Sequence, residues 1–155
     1  MTTDEEFMKA AIEASRQAYL EGNMPFGAVL VKGDYVHVSR NNQILEREVT
    51  GHAEVVLVRE VAAEKGREFF AGSTCYASGE PCAMCSGTLF WAGVSRIVFA
   101  APTKDIIEVL GGPELPIKTA DVLVGSKPLI PVEGPLLKDE AVQVLRDAAI
   151  AIAKR

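Results

Sequence analysis

The apolar positions change period several times along the chain, and each change marks an element. Phe7, Ala11, Ala14 and Ala18 recur every three or four residues among Glu6, Glu13, Arg16 and Gln17, which predicts an amphipathic helix over 4–21 ended by Gly22-Asn23. Asp4, Glu5 and Glu6 in its first turn suit the positive end of the helix dipole. Residues 25–31 and 35–39 are short strand-like runs on either side of Lys32-Gly33-Asp34, and together predict a β-hairpin. Gly27 in the first run predicts close approach of another backbone. A polar loop follows from Arg40 to Gly51, with Ile44-Leu45 its one apolar pair. Val55, Val56, Val58, Val61 and Ala62 then predict a largely buried helix over 52–65, stopped by Gly66.

Beyond it, residues 73–77 read as a strand, 78–81 as a turn and 82–92 as a helix closed by Gly93. Residues 96–101 are almost continuously apolar, as in a strand buried on both faces. From Pro102 punctuation dominates. A short helix is expected over 105–110, turns at Gly111-Gly112-Pro113 and Pro116, and a helical turn over 119–124. Residues 129–132 are expected to form an edge strand, because Pro128 and Pro131 cannot donate to a ladder. The last helix, 139–153, aligns Val142, Leu145, Ala149 and Ile152. The order α-β-β-α-β-α-β-(α)-β-α is that of a three-layer α/β domain. No repeat or low-complexity linker interrupts it, so residues 1–155 are expected to form a single domain.

Charge narrows the partners. A net charge of −5 and a pI near 5.1 have the wrong sign for a protein that binds by neutralising phosphates, so a small molecule is expected rather than nucleic acid. Three cysteines suit a reducing compartment. The acidic start, Met1-Thr2-Thr3-Asp4-Glu5-Glu6, lacks the basic and then apolar plan of a secretory signal, and no run is long enough to span a bilayer. The expectation is a cytoplasmic protein with no membrane partner.

The chemistry concentrates in His52-Ala53-Glu54 and Pro81-Cys82-Ala83-Met84-Cys85, each at the start of an expected helix. Catalytic zinc takes three protein ligands of nitrogen and sulfur type and keeps a fourth position for water, and His52, Cys82 and Cys85 make three. The two cysteines are three residues apart, on one face of a helix whose N-terminus favours their thiolates. Glu54 need not be a ligand, and is placed to pass protons beside that water. Other readings use the same residues. A thioredoxin-like Cys82–Cys85 pair leaves His52 and Glu54 without a task. A closed structural zinc needs a fourth ligand from Cys75 or His37, and Cys75, in an expected strand, is roughly 10 Å off at about 3.3 Å per strand residue.

The pattern H-x-E followed by P-C-x-x-C resembles the zinc-dependent cytidine deaminase-like superfamily. It is closest to the branch holding guanine deaminases, fungal-type cytosine deaminases and bacterial tRNA adenosine deaminases. The resemblance runs from about Phe7 to Ala101 and then weakens. It implies a three-layer α/β/α sandwich around a five-stranded mixed sheet, Zn²⁺ held by His52, Cys82 and Cys85, and Glu54 as the catalytic proton shuttle. The expected activity is hydrolytic deamination of a free nucleobase or nucleoside, with tRNA adenosine deamination or a non-catalytic zinc protein as the alternatives. The resemblance also implies that Asn41, eleven residues before the histidine, holds the substrate. Backbone N–H groups near Ala53 and Cys82 would orient the ring or its oxygen, and a homodimer is expected. Phe26, in Pro25-Phe26-Gly27-Ala28, and Trp91 resemble the guanine deaminase forms, which would lay Phe26 against a flat ring. Gly51 stands where the family usually has alanine. The C-terminus lacks both an aromatic covering tail and an arginine-rich end.

Overall fold

The computed structural model describes residues 3–155. Helix α1 (Thr3–Glu21) leads into the hairpin β1 (Gly27–Lys32) and β2 (Tyr35–Arg40). Next come α2 (Ala53–Lys65), a 3₁₀ turn at Arg67–Phe70, β3 (Thr74–Gly79), α3 (Ala83–Ala92) and β4 (Arg96–Ala101). The chain finishes with α4 (Thr103–Leu110), α5 (Thr119–Val122), β5 (Val132–Glu133) and α6 (Lys138–Ala153). The five strands form one mixed sheet in the order β2-β1-β3-β4-β5. Strand β1 is antiparallel to both its neighbours, whereas β3, β4 and β5 run parallel.

Alternation along the strands divides the core into two layers. Val29, Tyr76, Val98 and Ala100 meet Met8, Ala11 and Ile12 of α1 and Val142, Val144 and Leu145 of α6. Ala28, Leu30, Cys75 and Ile97 point the other way, toward Ala53, Leu57 and Val61 of α2 and Leu89 of α3. The sandwich is therefore α1 and α6 on one face and α2 and α3 on the other. Gly27 makes the first layer possible, since a β-carbon there would lie 2.4 Å from the carbonyl oxygen of Ala11.

Three elements differ from expectation. The edge strand begins at Val132, three residues late, because pairing starts where the Pro131 carbonyl accepts the Ile97 N–H at 3.0 Å, an acceptor role open to proline. The 3₁₀ turn carrying the buried Phe70 had no periodic signal. In α6, Val142 and Leu145 enter the core as the stripe predicts, but Ala149 and Ile152 instead border a cavity at the end of the sheet. No helix among the described residues is long and apolar enough to cross a membrane.

Candidate active site

The ends of the parallel strands β3 and β4 face that cavity, the usual location of a site in an open α/β sheet. Strand β3 stops at Gly79, and Glu80-Pro81 carries the chain to Cys82, the N-cap of α3. His52 is the N-cap of α2, which packs against α3. N-cap positions normally hold side chains that bond back to the helix, worth about 1 kcal/mol. Neither His52 nor Cys82 does so. Their side chains instead turn toward each other. Nδ1 of His52 lies 3.5 Å from Sγ of Cys82 and 3.4 Å from Sγ of Cys85, and the three ligand atoms fall within 4.8 Å of one another. Around tetrahedral zinc, with Zn–N near 2.05 Å and Zn–S near 2.3 Å, an N···S edge is about 3.6 Å. The donor set and its spacing fit zinc.

Charge is shared unevenly among the three side chains. A hydrogen bond from Cys85, with a further one from His52, brings the Cys82 thiol down to about 4. The same Cys82–Cys85 bond and burial push the Cys85 thiol up, and the bond to Cys82 raises His52. Glu54, in the first turn of α2, is 5% exposed and lines the cavity. Burial first, and then the Cys82 thiolate, push its carboxyl up to about 7, the range in which a group can both take and give a proton at neutral pH.

The cavity holds about 810 Å³, within the range of small-molecule sites. Met24, Phe26 and Gln43 form one side, and His52, Glu54 and Cys82 the base. Ile106, Ile107 and Leu110 of α4 with Ala149 and Ile152 of α6 form an apolar wall, which the strip 111–115 continues. Phe26 lines the cavity, and Gly79 leaves room for it, since a β-carbon there would stand 2.9 Å from the Phe26 ring. Ala53 is fully buried with its methyl in the core, so only its backbone is available at the start of α2.

Asn41 is 1% exposed and borders a second, polar cavity instead. Its Oδ1 accepts the N–H groups of Met24 and Gln43 at 3.3 and 3.0 Å, and its Nδ2 donates to Gln43 Oε1 at 2.6 Å. It is Gln43, which the sequence did not single out, that reaches the catalytic cavity. Trp91 is 79% exposed, touches Phe90 edge-on and lies outside the cavity. Cys75 is buried in the α2 layer of the core and His37 pairs with Glu60, so neither joins the three ligands. Glu80, Thr103 and Glu114 also line the cavity, and only their closeness to the motifs or the glycine pair could have flagged them.

Comparison with known proteins agrees with this site. The family profile of the cytidine and deoxycytidylate deaminase zinc-binding region matches residues 1–101. The chain is 37% identical over 144 residues to a probable cytosine deaminase of Schizosaccharomyces pombe, covering 90% of this chain and 88% of the relative. It is 36% identical over 102 residues to the tRNA-specific adenosine deaminase of Bacillus subtilis, covering 65% of this chain and 63% of that protein. The fold superposes on the guanine deaminase from Nitrosomonas europaea with a TM-score of 0.82 and 25% identity, over 97% of this chain and 86% of that one. A matched profile over about two thirds of the chain, a fold that superposes nearly end to end and a His/Cys/Cys cluster of the right span have one explanation: this chain belongs to the zinc-binding cytidine and deoxycytidylate deaminase family, whose members deaminate by hydrolysis.

Proposed function

We propose that the chain deaminates a free nucleobase or nucleoside with a guanine- or cytosine-type ring, releasing ammonia. The observation that carries this reading is a small-molecule-sized cavity at the ligand cluster. His52, Glu54 and Cys82 line it together with apolar side chains of α4 and α6 and the strip 111–115. The acidic net charge of −5 supports a small substrate over a polyanion. Structures similar to this one contain 2,6-diaminopurine and 8-azaguanine.

His52, Cys82 and Cys85 would hold a zinc ion, which would supply Lewis acidity toward water. Glu54 would take one proton from the attacking water and pass it to the ring nitrogen, then carry the proton of the added hydroxyl to the departing amine, so that ammonia leaves and the ring carbon keeps the oxygen. Phe26 lies against the ring face, the backbone at Ala53 and Cys82 orients its edge, and Asn41 acts on the substrate through Gln43, a cavity-lining residue whose Oε1 it binds. The protein works as a cytoplasmic enzyme and, as the family resemblance implies, as a homodimer.

The similarity to tRNA-specific adenosine deaminases favours a second reading, in which adenosine in an anticodon loop is the substrate. One experiment separates the readings: ammonia release from a panel of free bases, nucleosides and a tRNA hairpin. Turnover of a free base or nucleoside is the expected result. Turnover of the hairpin alone would support the second reading.

A further inference from the structure

The strip 111–118 belongs to no helix or strand and is exposed from Gly111 to Lys118, and its first five residues, 111–115, line the cavity. It leaves α4 through Gly111 and Gly112, both at positive φ (65° and 80°), where the backbone is least restricted. At its far end exposure stops abruptly, for Thr119 is completely buried.

One side chain holds both ends. Glu80 is 9% exposed, and its own N–H is fixed to the Ala101 carbonyl oxygen at 2.8 Å. Its Oε1 accepts the Thr103 N–H at 2.9 Å, at the start of α4, and its Oε2 accepts the Thr119 N–H at 3.2 Å. Each carboxylate oxygen therefore anchors one boundary of the segment that carries the wall. Thr119 ties back to the zinc motif as well. Its Oγ1 donates to the Pro81 carbonyl oxygen at 2.8 Å, and Ser86 Oγ, also fully buried, donates to Thr119 Oγ1 at 3.2 Å. Charge-assisted bonds in a buried setting are the strong ones, and leaving one unmade is costly.

We infer that Glu80 is a positioning residue: it sets the height of the 111–115 wall over the ligand cluster, with Thr119 as the catch. Neither residue handles protons in the reaction. Their effect is on how tightly Pro113, Glu114 and Leu115 close around a ring, which is binding shared by ground and transition states and so appears in KM rather than kcat. The inference deepens the deaminase reading, and its kinetic arm rests on that reading. Its proteolytic arm does not.

The test compares zinc-loaded parent, Glu80→Gln, Thr119→Val and Thr119→Ser. Three quantities are read: zinc content, the rate of cleavage after Glu114 and Lys118 by specific proteases, and KM with kcat for the base turned over fastest by the parent. Glu80→Gln and Thr119→Val should keep zinc, be cleaved about tenfold faster, and show KM up about tenfold with kcat within about twofold. Thr119→Ser, which keeps the hydroxyl, should match the parent. Unchanged cleavage or unchanged KM in both variants would overturn the inference. So would zinc loss with a fall in kcat, which would make Glu80 a support of the ligands instead. Thr119→Val decides alone should Glu80→Gln not hold the fold. If the parent turns over no base, the deaminase reading fails, and cleavage alone supports or overturns the latch.

Discussion

A β-carbon on Gly51 would lie 1.9 Å from Oδ1 of Asn42. That oxygen is buried and has no hydrogen-bond partner among the described residues, and the two residues are also joined by a bond from the Asn42 N–H to the Gly51 carbonyl oxygen at 3.0 Å. The glycine before the zinc-motif histidine, where the family usually has alanine, is thus the other half of an asparagine that occupies the alanine's space. Gly51→Ala should lower stability by about 1–3 kcal/mol through overpacking. Adding Asn42→Gly should restore most of the loss. Thermal unfolding of the four members of the cycle measures the coupling, and strictly additive effects would contradict it.

The ligand set makes a prediction about which cysteines matter. Chelation, or His52→Ala, Cys82→Ala or Cys85→Ala, should remove zinc and ammonia release together, and added zinc should rescue the chelated parent alone. Cys75 sits in the core layer under α2, apart from the cluster, and burial raises its thiol pKa well above the usual range. Cys75→Ala should keep full zinc content and lose only packing energy, on the order of 1 kcal/mol. Metal analysis of the cysteine variants checks this.

How far the sequence reached follows from the range of each interaction. His52, Cys82 and Cys85 were legible because each motif is local to one helix start and the two together resemble a known zinc pattern. The three-layer order was legible as well, since strand and helical periods are written in neighbouring residues. Chain spacing located Asn41 but not the direction of its amide, which is decided by the N–H groups of Met24 and Gln43. The wall 111–115 was illegible because its position depends on Glu80 binding Thr119, 39 residues away.

At the other end of β4, Arg96 grips Asp4 with two nitrogens, at 3.0 and 2.8 Å, and Tyr76 donates to the same carboxylate at 2.6 Å. The Arg96 bond foremost, and then that from Tyr76, hold the Asp4 pKa down to about 2 from 3.8. A depressed carboxylate stabilises the fold above its unfolded pKa, and the contribution fades as pH falls from the unfolded toward the folded value. Asp4→Asn should therefore be less stable than the parent at pH 7, by an amount reduced by solvent at this partly exposed pair. The gap should narrow as pH is lowered from about 4 toward 2, as denaturant midpoints at each pH would show. A constant gap would mean that the ionised form is not what matters.

Trp91 offers a simple check on the cavity. Being 79% exposed and outside the lining, it should be replaceable by alanine with KM and kcat within about twofold of the parent. A KM increase of an order of magnitude would place it at the substrate, as the resemblance to guanine deaminases implies.

The most direct measurement is ammonia release by zinc-loaded Glu54→Gln, with zinc content determined on the same sample. The amide keeps the size of the buried carboxyl but cannot take a proton from water. The account predicts unchanged zinc content and turnover lower by about 10²–10⁴-fold, the usual worth of general acid–base catalysis. Release of ammonia at the parent rate from fully loaded protein would contradict it.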